Sequence, residues 1–248
     1  MIKFFRKIRY DLMKKNKMSK YFKYAIGEIL LVVIGILIAL SINNWNEKKK
    51  TEEKETHALS EIISDLDNNI ETLTDIKTRE INSLNSSKNS LKIIIDVLEN
   101  NKQYHDSLIV HFTAILGYPD PDLKTSGYES LTSIGMDLIS DNKLRSEIGK
   151  YYTSQIPDIE RSYNELRDDF YHYMLDYSRF LFRRSANEKR DQGIMIPNNF
   201  EKLKDNNGFI ESIKTYLTVY GSFDNMAIET INSSKTLKQN IELTLEKN

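Results

Sequence analysis

The chain of 248 residues is long enough for one membrane span and one further domain with a core of its own. Its 40% hydrophobic and 29% charged residues, with only 9 glycines and 4 prolines, favour long helices over a strand-and-turn architecture or extensive disorder. Because the chain has no cysteine, disulfide bonds, thiolate nucleophiles and Cys-ligated zinc are excluded.

The net charge of −1 conceals two segments of opposite sign. Residues 1–23 contain nine Lys or Arg and one Asp, a net charge of +8. Residues 43–248 contain 26 basic and 34 acidic side chains, a net charge of −8. An acidic domain repels phosphate backbones, so we expect no nucleic acid partner, whereas the basic tail suits anionic lipid headgroups.

The apolar run from Ala25 to Ile42 predicts a transmembrane helix. Its 18 residues include a single charge, Glu28. As a helix the run would reach about 27 Å, close to the roughly 30 Å of a hydrocarbon core. A core helix of a soluble protein would keep a polar face, which this run lacks. Trp45, just past the run, stands where interfacial aromatic belts lie.

The charges around the span predict its orientation, with the N-terminus in the cytoplasm, because the basic residues concentrate before the span. The alternative is a cleaved signal peptide, since Ala39 and Ser41 loosely match a small-x-small cleavage site. The apolar run is longer than the 7 to 15 residues expected of a signal peptide. A mature protein that starts at Ile42 would favour cleavage.

Three residues within the span are candidates for more than anchoring. Glu28 lies about one turn inside the boundary, where pairing with Lys23 or another basic residue of the tail competes with a functional role. Gly35 and Ala39 form a small-x-x-x-small step that would let two spans approach closely. This step is the sequence argument for a homo-oligomer.

Residues 1–24 predict a basic amphipathic tail on the cytoplasmic side. Phe5, Ile8 and Leu12 share one helical face, which is typical of a helix that lies on the inner leaflet. The tail is too short for a kinase, a phosphatase or a DNA-binding module. Any signal must therefore pass through a partner.

Residues 43–248 predict one extracytoplasmic domain, an antiparallel helical bundle, in an all-α fold with one long membrane-proximal helix. Residues 43–99 lack Pro and Gly and carry apolar residues at heptad spacing, which predicts a helix of about 50 residues. Lys77, Glu80 and Ser87 interrupt the heptads. The helix could pair with a second copy as a coiled coil or pack on its own chain.

The rest of the domain alternates helices with two predicted loops. A short helix over 104–116 precedes a loop over 117–127, which holds two prolines. Further helices follow, with a kink or break at Pro157, a second loop over 185–199 and one or two closing helices. No segment shows convincing alternation with period two, so we expect no strands.

Motifs for catalysis are missing from the sequence. No nucleophile elbow, phosphate-binding glycine loop or paired zinc histidines occur. Glu165, Asp169 and His172 form the nearest approach to a ligand cluster, but bundle di-metal sites need that motif twice with two further carboxylates. We expect a non-enzymatic protein with no catalytic, cofactor-binding or metal site.

Tyrosines and prolines supply the candidates for a binding surface. Tyrosines at helical spacing are usually core residues with a hydrated hydroxyl, but they are also frequent at interfaces. A loop with prolines is a second candidate contact site. The candidate partner or ligand surface therefore comprises Tyr163, Tyr171, Tyr173, Tyr177, Pro119 and Pro121.

Two stretches carry a family resemblance. They are Tyr24 to Asn46, which contains the span and ends in Asn-Asn-Trp-Asn, and Tyr128 to Arg145. The chain resembles an uncharacterised family of bacterial single-span membrane proteins, a domain of unknown function. The resemblance implies a Gram-negative inner membrane with the domain in the periplasm, and it implies no activity or cofactor.

The sequence thus predicts a membrane-anchored periplasmic helical module that binds a protein partner or a ligand. The alternative is a ligand-sensing accessory subunit of a separate membrane signalling or transport protein. Sensors built on helical bundles usually carry their own cytoplasmic output, and its absence here counts against the alternative.

Overall fold

The computed structural model describes residues 6, 10, 18–78, 83–115, 117–187 and 190–247. The chain divides into two compact units, Met1–Glu55 and Thr56–Asn248. Phe5, Ile8 and Leu12 of the predicted tail helix lie outside the described residues. The elements, in chain order, are α1 (Met18–Thr78), α2 (Leu84–Glu99), α3 (Leu108–Ala114), α4 (Ser126–Ile134), a 3₁₀ turn (Met136–Leu138), α5 (Asn142–Lys150), a first π-turn (Tyr151–Gln155), α6 (Ile156–Asp169), a second π-turn (Phe170–Met174), α7 (Leu175–Leu181), β1 (Phe182–Asn187), β2 (Arg190–Pro197), α8 (Phe200–Lys204) and α9 (Asn207–Leu245).

The all-α fold class is confirmed, with one small hairpin among the helices. Helix α1 is the long helix that the sequence predicted. In its first part the apolar run is exposed, whereas from Ala58 onward its apolar residues at heptad spacing are buried or half-buried. Leu59, Leu66 and Leu73 are fully buried against the rest of their own chain.

The prediction of one uninterrupted helix over 43–99 is wrong. Helix α1 ends at Thr78, and α2 begins at Leu84 after Ser83, whose hydroxyl accepts the N–H of Ser86 at 3.4 Å. Ser83 has extended ψ and acts as the N-cap of α2, a role that serine favours. A helix-period pattern without Pro or Gly gives no sign of such a cap within it.

Two of the residues that interrupt the heptads, Lys77 and Ser87, have partners within the bundle, and Glu80 lies outside the described residues. The Lys77 ammonium donates to Asp224 of α9, and the Lys88 ammonium donates to the second oxygen of that carboxylate at 2.6 Å. Ser87 is fully buried. Burial opposes ionisation of Asp224, but the hydrogen bonds from the two lysines hold its pKa below the ordinary value.

Two hydrophobic clusters form the core of the bundle, and α9 contributes to both. The larger cluster includes Phe209, Tyr216 and Phe223 of α9 together with residues of α2, α3 and α6. The smaller cluster joins Leu237 and Ile241 of α9 to residues of α4 and α5 and to the part of α1 between Ala58 and Leu66. The last helix therefore holds both halves of the bundle together.

The segment predicted as a loop over 185–199 is mostly an antiparallel hairpin. Strand β1 pairs with β2, with Phe182 opposite Pro197 and Arg184 opposite Met195. Phe182 and Met195 are buried, and the Met195 N–H donates to the Thr113 hydroxyl at 3.1 Å. The hairpin escaped prediction because polar residues follow Phe182 in β1 and apolar residues are consecutive in β2, so neither strand alternates in sequence.

The helical stretch from α5 to α7 contains both π-turns. The Ile156 N–H donates to the Tyr151 carbonyl, and the Leu175 N–H donates to the Phe170 carbonyl, each five residues back. Pro157 follows the first π-turn and cannot donate to the carbonyl of Thr153. The predicted break at Pro157 is thus accommodated as a π-turn rather than as a loop.

Candidate functional site

The proline-containing loop, residues 117–125, is fixed at its end by α1. The side-chain amide of Asn69 donates to the Lys124 carbonyl at 3.0 Å, and its oxygen accepts the Lys124 N–H at 2.6 Å. Asn69 is fully buried, so both bonds form away from competing water. The loop's C-terminal end therefore has a defined position on the bundle.

The start of the loop is fixed by two buried tyrosines of α9. The Gly117 carbonyl accepts the hydroxyl of Tyr220 at 2.5 Å and that of Tyr216 at 3.4 Å. Burial raises the pKa of Tyr220 to about 12 and also raises the pKa of Tyr216. Both hydroxyls stay protonated at neutral pH and keep donating to the loop.

This loop brings Tyr118 onto the helical tyrosines, forming a tyrosine cluster of Tyr118, Tyr163 and Tyr171. The Tyr118 hydroxyl donates to that of Tyr171 at 3.1 Å. The centroid of the Tyr118 ring lies 6.1 Å from that of Tyr163 and 5.8 Å from that of Tyr171. Phe170 supports the cluster from the core, 5.2 Å from Tyr118.

Charges of both signs surround the tyrosine cluster. Burial and the hydrogen bond to Tyr171 raise the pKa of Tyr118 to about 12. Burial also raises the pKa of Tyr163, and the neighbouring Asp120 carboxylate adds to this. The Arg167 guanidinium lies 5.9 Å from the centroid of the Tyr163 ring, within cation–π range. The cluster offers aromatic faces, hydroxyls and both charge signs.

Asp169, next to the second π-turn, has a buried carboxylate oxygen, Oδ2, with no hydrogen-bond partner among the described residues. Burial raises the pKa of this carboxyl. Glu165 and His172 do not join it as metal ligands: within the described part of the chain no three His, Asp or Glu side chains are grouped to hold a metal ion.

The predicted surface residues are only partly brought together. Tyr163 and Tyr171 meet in the tyrosine cluster, beside the loop that holds buried Pro119 and half-buried Pro121. Tyr173 is exposed next to His172. Tyr177 packs elsewhere, with its ring centroid 5.5 Å from that of Phe209. The sequence prediction did not include Tyr118, which joins the loop to the helix.

The four predicted anchor residues lie on α1, in the first unit. Every residue from Ile29 to Lys54 is exposed, including Gly35, Ala39 and Trp45. Trp45 is 66% exposed, and nothing within 4 Å would meet a Cβ at Gly35. Glu28 is half-buried and has an interaction partner.

A second candidate site is a polar groove of about 620 Å³ at the first π-turn. One wall is α9, and the other is the end of α5, the π-turn and the start of α6. Its lining residues are Glu147, Lys150, Tyr151, Ser154, Gln155, Asp158, Glu229, Asn232, Ser233, Thr236, Leu237 and Asn240.

Hydrogen bonds between the walls shape this polar groove. The Tyr151 and Ser234 hydroxyls lie 2.7 Å apart, and the Gln155 amide donates to the Thr230 hydroxyl at 3.0 Å. The Asn240 amide donates to the Glu147 carboxylate at 2.8 Å. These bonds hold α9 against the π-turn and give the groove a defined floor.

The polar groove was not predicted, because its residues lie on helix faces whose polar sequence pattern is that of a solvent-exposed surface. The available signal was a pair of polar stripes at helical spacing. One stripe runs from Glu147 to Asp158 and the other from Glu229 to Asn240. Nothing in the sequence tells that these stripes face each other, because they are about 80 positions apart.

Comparisons with known proteins give one match. Residues 28–114 match a family described as a family of unknown function, DUF6090, which confirms the resemblance to an uncharacterised family for that segment. No curated protein and no solved structure matches the chain. The matched segment covers α1 from Glu28 to Thr78, α2 and α3, whereas the tyrosine cluster and the polar groove lie beyond it.

Proposed function

We propose that this protein is a single-pass membrane-anchored helical module that docks a protein partner through a periplasmic domain and has no catalytic activity of its own. The observation that carries the anchor is the uncovered apolar run of α1. An 18-residue window there has a mean hydropathy of 2.7, and none of it is buried.

Exposure of this run to water would be costly. A fully buried large apolar side chain contributes about 1.5–3 kcal/mol relative to an exposed one, and the run contains more than ten such side chains. The hydrocarbon core of a bilayer removes this cost, and Trp45 fits the interface beyond the run. The charge of +8 before the run supports a cytoplasmic N-terminus and a periplasmic domain.

Single-cysteine labelling tests the anchor and its orientation, and the absence of native cysteine makes the labelling specific. The full-length chain carries either Lys3→Cys or Thr132→Cys, an exposed position on α4. In cells with a permeabilised outer membrane, an impermeant maleimide should label Thr132→Cys alone and should label Lys3→Cys only after lysis. The reverse pattern overturns the orientation, and a mature N-terminus at Ile42 overturns the anchor.

The tyrosine cluster and its surroundings support docking of a folded protein. Tyr171 and Tyr173, in the second π-turn, are 52% and 56% exposed, and Phe180, about two helical turns beyond Tyr173 on α7, is 76% exposed. Aromatic residues are enriched in the cores of protein interfaces, and monomeric soluble proteins rarely expose large contiguous apolar patches. The rigid loop beneath Tyr118 would spare the partner the cost of ordering it.

Site-specific photo-cross-linking in the native membrane tests this docking. A photoreactive residue replaces Tyr171, the exposed member of the tyrosine cluster, in the full-length chain, and the matched control carries it at Thr132, an exposed residue of α4. We expect one defined adduct from position 171 and none from position 132. Equal capture from both positions, or none from either, overturns docking at this surface.

The absence of catalysis is tested on the detergent-solubilised full-length chain. It should turn over no substrate in a broad hydrolase screen. Turnover that co-purifies with the chain and is lost on mutation of a residue within it would overturn this part of the proposal.

The polar groove favours a second candidate function, a ligand-sensing accessory subunit. In this function a small ligand in the groove changes the affinity for the docked partner. The groove lies where α9 meets a π-turn, and π-turns within α-helices are frequent at functional sites.

A further inference from the structure

The polar groove has the dimensions of a ligand site. Its volume of about 620 Å³ lies within the range of roughly 300–1,000 Å³ that ligand pockets occupy. A single small ion or a free amino acid would leave much of this space to water. The volume therefore suits a ligand of several linked units.

Two of the groove's carboxylates already have partners within the protein. Glu147 accepts from Asn240 and lies 3.6 Å from the Lys143 ammonium. Asp158 accepts from the Arg161 guanidinium at 2.5 Å. These two carboxylates are thus occupied and contribute mainly shape and hydrogen-bond acceptors.

Two further charges in the groove have no partner among the described residues. Lys150, at the end of α5, and Glu229, on α9, form no ion pair or side-chain hydrogen bond there. They stand on different walls and have opposite signs. Such a pair is complementary to a molecule that carries one carboxylate and one ammonium.

The groove between these charges is suited to a peptide backbone. Ser154, Asn232 and Ser233 line it, and their side chains form no hydrogen bond within the described part of the chain. They provide free donors and acceptors for amide N–H and C=O groups. Tyr151 and Leu237 add apolar surface for small side chains.

We infer that the polar groove binds a short peptide with free termini, with its ammonium at Glu229 and its carboxylate at Lys150. The peptide is then the ligand of the ligand-sensing subunit proposed above, and the assignment rests on that second function. Docking of a protein at the tyrosine cluster does not depend on peptide binding.

Calorimetry on the full-length chain in detergent, with tri-alanine as the probe, tests the inference. Two matched probes each lack one charge, N-acetyl-tri-alanine and tri-alanine amide. We expect tri-alanine to bind and each blocked probe to bind about tenfold more weakly. No binding of tri-alanine at about 10 mM overturns the inference.

Variants assign each terminus to its side chain. Glu229→Gln should weaken the binding of tri-alanine about tenfold. This variant should bind tri-alanine and the N-acetylated probe with equal affinity. Lys150→Met should bind tri-alanine and tri-alanine amide with equal affinity. Lys235→Met and Glu160→Gln, exposed residues of α9 and α6 outside the groove, serve as controls and should leave binding unchanged.

All four substituted residues are exposed, so we expect the variants to fold, and circular dichroism checks this. Binding that the blocked probes and both groove variants leave unchanged would place the peptide elsewhere and overturn the assignment. The cross-linking at position 171 is a separate readout, so its failure would overturn docking without affecting peptide binding.

Discussion

The carboxylate of Asp65, on α1, accepts the backbone N–H of Gly127, on α4, at 2.6 Å. Its second oxygen accepts the Ser126 hydroxyl at 3.0 Å. Thr125, the residue at the N-cap position of α4, makes no capping bond with its side chain. The N-terminus of α4 is therefore capped from another helix, by a side chain 62 positions earlier in the chain.

Asp65→Ala should lower the free energy of unfolding of the bundle by about 1–2 kcal/mol, because it leaves the buried N–H of Gly127 without an acceptor. Urea unfolding followed by circular dichroism measures the change. Ser64→Ala, exposed on the same helix, should stay within about 0.5 kcal/mol of the wild type. Equal midpoints for the two variants would contradict the capping role.

Gly127→Ala should be destabilising by about 1–3 kcal/mol, because α4 approaches the backbone of α1 closely at this point. A Cβ there would stand 2.8 Å from the Glu61 carbonyl carbon and 2.9 Å from the Ile62 nitrogen. Gly149→Ala is the matched control. Nothing lies within 4 Å of its Cβ position in α5, so it should be neutral or stabilising by up to about 1 kcal/mol. Thermal unfolding of both variants checks the contrast.

Asp224→Asn should destabilise the bundle by about 2 kcal/mol at pH 7, because Lys77 and Lys88 lose their shared partner. The two lysines are 21% and 25% exposed, so water offsets part of the loss. Asp67→Asn, which breaks the more exposed pair with Lys238, should cost less than about 1 kcal/mol.

The contribution of Asp224 should also depend on acid pH. Because its pKa is lowered on folding, the stabilisation is fully present above the ordinary value of 3.8 and is lost as the pH falls through the folded-state value. The wild type should therefore lose more stability than Asp224→Asn on acidification. Parallel curves of unfolding free energy against pH would contradict this.

Asp169→Asn should stabilise the protein at neutral pH by about 0.5–1 kcal/mol, a figure already discounted for partial exposure. Burial raises the pKa of Asp169, so folding favours its protonated form and the ionised form is unfavourable above the folded-state pKa. The gain should disappear in acid, where the wild type is protonated as well. Unfolding in urea at pH 7 and at pH 3 measures the difference.

Alkaline pH should loosen the loop that carries Tyr118. Tyr118 and Tyr220 have pKa values raised from 10.0 to about 12, so folding stabilises their protonated forms. This stabilisation is complete below pH 10.0 and is lost as the pH rises toward about 12. In a spectrophotometric titration, Tyr220→Phe should remove a phenol that ionises late. Loss of an early-ionising phenol instead would contradict the burial of Tyr220.

The parts of the fold that the sequence predicted follow from periodicity within one helix. Leu59, Leu66 and Leu73 recur every seven residues, and all three are fully buried. The break before Ser83 could not be predicted, because serine is tolerated within helices and becomes a cap only when the preceding chain leaves the helix.

The candidate site was less predictable because contacts between distant segments decide it. Tyr163 and Tyr171 were found from their crowding in the sequence, but Tyr118 reaches Tyr171 across 53 positions. Tyr177 shares the helical spacing of the other tyrosines and nevertheless packs on Phe209. Local spacing gives the face of a helix, whereas the partner of that face depends on the whole bundle.

The two π-turns have a consequence for insertions and deletions. Each π-turn accommodates one residue more than an α-helix would hold in the same place, as a retained insertion. Deleting one residue from a π-turn would let it close into regular α-helix, and the side chains on either side would keep their places, because the extra residue is held within the turn. Ile159 and Leu166 should therefore stay buried after deletion of Ser154, whereas a deletion outside the π-turns would rotate every later side chain of the helix by about 100°. A deletion within a π-turn should therefore be tolerated better than one in the α-helix beside it.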